Sequence, residues 1–249
     1  EQFRHDYHII APDLRGHGDS QWMVGGAYSQ IDYVYDIAQL LRQKQMSPVT
    51  IVGHSLGGSI SLLYTALHPE NVEKLVAIEG MGPPPSMIAE RVNQPAEKRL
   101  HNWFSDLRKS SGRIVKRYPT LEDAFQRMQT ENPHLSEEQA RHLTIHGSNQ
   151  NEDGTFSWKF DNYVRNFSPI GIPFDEISEL YANITCPTLL VRGLESWASD
   201  PVADGRTKAF QCPVEVVAFA NAGHWVHHDQ LDGFVERIKD FFDDEQTTG

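Results

Sequence analysis

At 249 residues the chain is long enough to bury a sizeable core, and its length suits one α/β domain carrying an insertion. Its 22 Lys and Arg face 34 Asp and Glu, a formal charge of -12 that argues against nucleic acid or an anionic membrane as partner. No apolar run approaches the roughly 18 residues of a membrane span, and the first eight residues lack a signal-peptide apolar region, so a soluble, cytoplasmic protein is expected. Cys186 and Cys212 fit neither a disulfide framework nor a zinc spacing. Both precede proline just before an expected strand and are read as buried free thiols.

In chain order, Tyr7-His8-Ile9-Ile10-Ala11-Pro12 reads as a short strand ending in the loop 13–20, where Gly16 and Gly18 mark turns. Ile31, Val34, Tyr35, Ala38 and Leu41 fall on one face of an amphipathic helix, which Ser47-Pro48 terminates. The β-branched run Val49-Thr50-Ile51-Val52 then enters Gly53-His54-Ser55-Leu56-Gly57-Gly58 and a helix-like segment, 59–68. Strand, sharp turn and helix in that order are what a nucleophile elbow requires. Gly53 and Gly57 are expected to give the strained turn its room, and Gly58 to let the helix approach the sheet. Ser55 would project above the sheet, and the Leu56 N–H would face a developing oxyanion.

A further strand is expected at Lys74-Leu75-Val76-Ala77-Ile78. Strands that are continuous apolar runs, alternating with helices, imply a mostly parallel sheet with helices on both faces. The alternation stops at Gly82-Pro83, and the following hundred or so residues turn charged, aromatic and helical in pattern. Thr120-x-x-Asp123 and Ser136-x-x-Gln139 resemble capping boxes, 149–154 is a polar loop, and 156–160 is aromatic-rich. Strands resume at 188–193 and 214–219. The last helix shows Leu231, Phe234, Val235, Ile238, Phe241 and Phe242 on one face, and 243–249 reads as a frayed tail. The expected organisation is a core in two parts, 1–82 and 184–249, interrupted by a helical cap, 83–183.

Serine needs a base within hydrogen-bond reach to act as a nucleophile. His224 is the candidate, in a small-residue turn after the last strand and before the last helix. His227 and His228 beside it suggest a metal cluster, but His-x-x-His-His-Asp matches no zinc spacing, and both are read as helix-start histidines.

These pieces together, the loop 13–20, the elbow 53–57, the stretch 186–193 and Asn221-Ala222-Gly223-His224-Trp225, resemble the α/β-hydrolase family along nearly the whole chain. Serine at position 55 places the resemblance with the esterase branch. It implies a Ser–acid–His site under a helical cap, no cofactor and no metal. The family's usual acid falls three or four residues past Gly193, where this chain has Ser196 and Trp197. Glu79, at the end of the strand after the elbow, is the first choice for the acid, with Glu195 and Asp200 as alternatives. His54, Trp103, Phe104, Trp158 and Trp225 are expected to contact substrate, although Trp103, Phe104, Phe125, Met128, Trp158 and Phe160 suit the packing of the cap's own core as well. Family members begin with further strands and a His-Gly loop that supplies a second oxyanion donor. The given sequence starts after these strands, so either it is an N-terminally truncated form or the sheet is shortened, and weak activity or a homodimer is expected. The expected reaction is hydrolysis of small to medium hydrophobic carboxylic esters. The alternatives are a lactone, thioester or carbon–carbon hydrolase, or a non-catalytic protein that binds a small molecule.

Overall fold

The elements expected from apolar runs and helical periodicity are mostly present in the computed structural model, which describes residues 2–23, 28–113, 115–166 and 172–244. Its strands are β1 (Val49–His54), β2 (Val72–Ile78), β3 (Ser148–Gln150), β4 (Phe156–Trp158), β5 (Thr188–Gly193) and β6 (Val214–Phe219). The helices begin with α1 (Gln30–Lys44), α2 (Leu56–Leu67), α3 (Pro85–Val92), α4 (Ala96–Ser111) and α5 (Leu121–Glu131). They continue with α6 (Glu137–Gly147), α7 (Phe174–Leu180), α8 (Val226–Asp229) and α9 (Leu231–Asp243). The chain divides into two units, one of Gln30–Pro95 with Ile170–Gly249 and one of Glu1–Ser29 with Ala96–Pro169.

The first of these units holds the main sheet, in the order β1-β2-β5-β6 with every neighbour parallel. Six of the seven β2 residues are buried, as expected of a strand covered on both faces. The helix α2 packs on β1 and β2 and against α1, and buries Ile60, Leu62, Leu63, Tyr64 and Ala66. Of the two polar residues in β2, Glu73 is exposed. Lys74 is buried, and its ammonium donates to the carbonyls of Phe241 (3.0 Å), Phe242 (2.7 Å) and Asp244 (3.1 Å). These belong to the C-terminal end of α9, where unpaired carbonyls and the helix dipole favour a cation. The buried face of α9 is Phe234, Ile238 and Phe241, as its periodicity predicts, while Leu231 stays exposed. The tail beyond Asp244 lies outside the described residues.

Two expectations are corrected. The segment 7–12 forms no strand: Tyr7, Ile9 and Ile10 are exposed, and no ladder runs beside them among the described residues. A β-branched run becomes a strand only where a neighbouring edge takes its hydrogen bonds. In α1 the buried residues are Tyr33 and Val34, whereas Ile31 and Tyr35 are exposed. The helix presents a face turned by about 100°, one residue's rotation, from the stripe read off the sequence.

In the other unit, both capping boxes form with reciprocal bonds. Thr120 opens α5 with Asp123, and Ser136 opens α6 with Gln139. Phe125, Leu135 and Ala140 make a small core there, covered by Met128 and Leu143. The hairpin β3–β4 encloses the polar loop around Gly154, whose φ of 83° suits glycine. The loop 13–20 closes on itself, with Asp13 accepting from the Asp19 N–H (2.9 Å) and Ser20 donating to the Asp13 carbonyl (2.7 Å). It is joined to 159–161 by Gly18 N–H to Lys159 O (2.7 Å) and Asp161 N–H to Gly16 O (2.8 Å).

Candidate active site

At the C-terminal end of β1 the chain turns sharply into α2 through Ser55, whose φ of 53° and ψ of -114° are unusual for a residue with a side chain. Such strain costs of order 1–3 kcal/mol and persists only where surrounding structure enforces it. Here the Ser55 N–H donates to the Ile78 carbonyl (2.8 Å), and the Ser55 carbonyl accepts the first α2 bond from Ser59 (3.0 Å). A Cβ on Gly53 would lie 2.5 Å from the Gly57 carbonyl oxygen and 2.6 Å from Ser61 Oγ. One on Gly58 would lie 2.7 Å from the Gly80 Cα, so α2 touches the turn after β2 backbone to backbone. Gly57 is different: a Cβ there meets open space, so the room comes from Gly53 and Gly58.

Gly80 follows Glu79, and the contact with Gly58 therefore brings the serine turn and the carboxylate turn together. Glu79 also has a positive φ, 54°, and its N–H donates to the Val191 carbonyl (2.8 Å). Its side chain is fully buried and accepts three hydrogen bonds. The Gly193 N–H donates to Oε1 (2.8 Å), Ser196 Oγ donates to Oε2 (2.5 Å), and His224 Nδ1 lies 3.2 Å from Oε2. Burial alone would raise its pKa; the bonds from His224, Ser196 and Gly193 outweigh burial and hold it below the ordinary carboxylate value. An ionised carboxylate only accepts, so Nδ1 of His224 carries the hydrogen. Nε2 is left to accept from the Ser55 hydroxyl, 2.8 Å away.

Three features fix the His224 loop. A Cβ on Gly193 would fall 2.2 Å from the Gly223 carbonyl oxygen, so the end of β5 abuts the loop directly. The Gly223 N–H donates to Asp229 (2.8 Å), and His54 Nε2 donates to the carbonyl of His224 itself (2.7 Å). Burial lowers the His54 pKa more than this bond raises it, which keeps the ring neutral. Ser55, His224 and Glu79 thus form one connected chain of hydrogen bonds across three loops at the ends of parallel strands.

The model of the alpha/beta hydrolase fold matches residues 1–231. The chain belongs to the α/β-hydrolase family. It is 27% identical over 242 residues to an esterase of Mycobacterium tuberculosis, covering 94% of this chain and 74% of the relative. It is 26% identical over 244 residues to an sn-1-specific diacylglycerol lipase of Mus musculus, covering 94% and 71%. Among solved structures, the thioesterase domain from the curacin biosynthetic pathway superposes with a TM-score of 0.77 at 23% identity, over 96% of this chain and 83% of that one. The relatives named as esterases and hydrolases support a hydrolase with esterase-like activity, and the solved structure shows the shared fold.

In this hydrolase the alternative acids are placed elsewhere. Glu195 is exposed. Asp200 accepts from Arg192 (3.4 Å) and from the Val202 N–H (2.9 Å). Of the residues expected to contact substrate, His54 and Trp225 lie in the unit that holds Ser55, His224 and Glu79, with ring centroids 6.0 Å apart. Trp103, Phe104 and Trp158 belong to the other unit. There Trp103 and Phe104 pair at 5.5 Å, and Trp158 donates to Tyr118 (3.2 Å) as part of that unit's packing. His227 packs against His54, His228 and Trp225, and no group of three metal-ligating side chains is arranged to hold an ion among the described residues. Both cysteines are free, with burial pushing the Cys186 thiol up to about 11.

Two site residues escaped the sequence reading. Ser196 stands at one of the positions where an acid was expected and instead donates to the Glu79 carboxylate. Arg206 is buried and binds Asp204 (2.8 Å), Ser199 Oγ (2.6 Å) and the carbonyls of Met81 and Pro83. It ties the turn after Glu79 to the segment after Ser196. The polar residue at 196 was a usable signal; an arginine in a turn was not.

Proposed function

We propose that the protein is a serine hydrolase of carboxylic esters, acting through an acyl-enzyme on Ser55. The observation that carries this reading is the continuous hydrogen-bonded chain from Ser55 Oγ through His224 to the buried Glu79. His224 Nε2 takes the hydroxyl proton as Oγ attacks the ester carbonyl, and Glu79 holds the imidazole in the required tautomer and stabilises the imidazolium. The Leu56 N–H, first in α2, faces the developing oxyanion, where the helix N-terminus adds its positive end. The carbon–oxygen bond to the alcohol then breaks, and Nε2–H delivers the proton to the leaving oxygen. Water, deprotonated by the same imidazole, releases the acid and regenerates Ser55. Ester cleavage is supported by the esterase and lipase names among the relatives; that the esters are small to medium and hydrophobic is part of the proposal.

A fluorophosphonate probe tests the nucleophile. Ser55 is expected to be labelled covalently in the native protein, and labelling is expected to vanish in Ser55→Ala. Absence of labelling in the native protein would instead favour a fold used for binding alone.

A further inference from the structure

Trp197 is a large aromatic residue left 59% exposed, although tryptophan is highly buried on average. It is not on a loose segment. Ser196 before it is bound to Glu79, and Ala198 after it is buried and donates its N–H to Ser196 Oγ (3.2 Å). Between these anchors the indole is held over the imidazole of His224, with ring centroids 5.1 Å apart and planes inclined by 33°. Leu194, on the same short loop, is also exposed at 55%. An apolar ring is therefore held beside the base and left open.

We propose that Trp197 sets specificity for the alcohol half of the ester. The inference rests on the reading of Ser55 as the acylated nucleophile. The proton that Nε2 takes from Ser55 must pass to the leaving oxygen, so that oxygen comes within hydrogen-bond reach of Nε2, about 3 Å. With the indole about one ring's width from the imidazole, the group carried by that oxygen emerges alongside Trp197. The carbonyl oxygen is directed instead toward the Leu56 N–H. An aromatic or extended apolar alcohol would lie against the indole and gain offset-stacking and burial energy, whereas methanol cannot reach it. Once the alcohol has left, the acyl-enzyme no longer contains the group that Trp197 contacts.

Two butyrate esters, 2-naphthyl and methyl, separate these steps because they form the same acyl-enzyme. Trp197→Ala is expected to lower kcat/KM for the naphthyl ester by about 10- to 100-fold. The methyl ester is expected to lose less than about threefold, and the rate of deacylation, read from the burst with the naphthyl ester, is expected to stay unchanged. Trp197→Phe should recover most of the loss, and Trp197→Leu provides a second apolar truncation should the alanine variant fold poorly. Equal losses for the two esters, a change confined to deacylation, or no loss with either would overturn the proposal. Failure of the underlying reading is distinguishable: native protein would then show no burst and no fluorophosphonate labelling.

Discussion

A buried carboxylate that accepts bonds from an amide, a hydroxyl and an imidazole is fixed in both charge and direction. Glu79 has all three, and the substitution Glu79→Gln preserves its shape while offering an NH2 group to the imidazole. The imidazole would then be held with Nδ1 as acceptor and the hydrogen on Nε2, where it cannot take the Ser55 proton. The expected loss is three to four orders of magnitude in kcat on a single ester; a value within tenfold of the native protein would remove Glu79 from the mechanism. Ser196→Ala tests the supporting hydroxyl. Losing one hydrogen bond to a charged group costs about 1.5–3 kcal/mol, but the Gly193 and His224 bonds remain. A fall in kcat of roughly tenfold, far short of Glu79→Gln, is therefore expected.

The secondary elements bring these residues together through close backbone contact, at Gly58 against Gly80 and at Gly193 against Gly223. The sheet was legible from sequence because β1, β2, β5 and β6 are continuous apolar runs whose partners are one another. The same local signal at 7–12 misled, since pairing depends on an edge elsewhere in the chain. The hairpin β3–β4 was missed because three-residue strands carry too little pattern to register. Three acids were candidates on local grounds, and only the register of β2 against β5 distinguishes them: Ile78 pairs with Val191, which puts Glu79 beside Gly193 and Ser196. Lys74 is another case that periodicity could not reveal, a cation inside an apolar strand. Lys74→Met would keep the stem and strand from the carbonyls of Phe241, Phe242 and Asp244 their shared donor. A destabilisation of about 1–3 kcal/mol is expected in urea unfolding, with the fluorophosphonate reaction of the folded protein unchanged.

For the molecule as a whole, the half-buried histidine cluster makes stability depend on pH. His227 packs against His54, His228, Trp225 and Phe234, and its Nδ1 has no hydrogen-bond partner among the described residues. Burial, then repulsion from the neighbouring imidazoles of His54, His228 and His224, pushes its pKa down to about 3. The unfolded chain, with a histidine pKa of about 6.5, binds a proton that folded His227 refuses. Stability contributed by the neutral ring is thus complete above about pH 6.5 and is lost progressively as pH falls toward 3, at up to about 1.4 kcal/mol per pH unit. His54, also lowered by burial, acts in the same direction, and Glu79 joins below the ordinary carboxylate pKa, since its lowered value in the fold is lost only at lower pH. Urea midpoints measured from pH 7 to pH 5 should therefore fall in the native protein and fall less steeply in His227→Gln, whose amide takes no proton in that range. Parallel slopes for the two proteins would show that His227 is not a source of the acid sensitivity and would shift the assignment to His54.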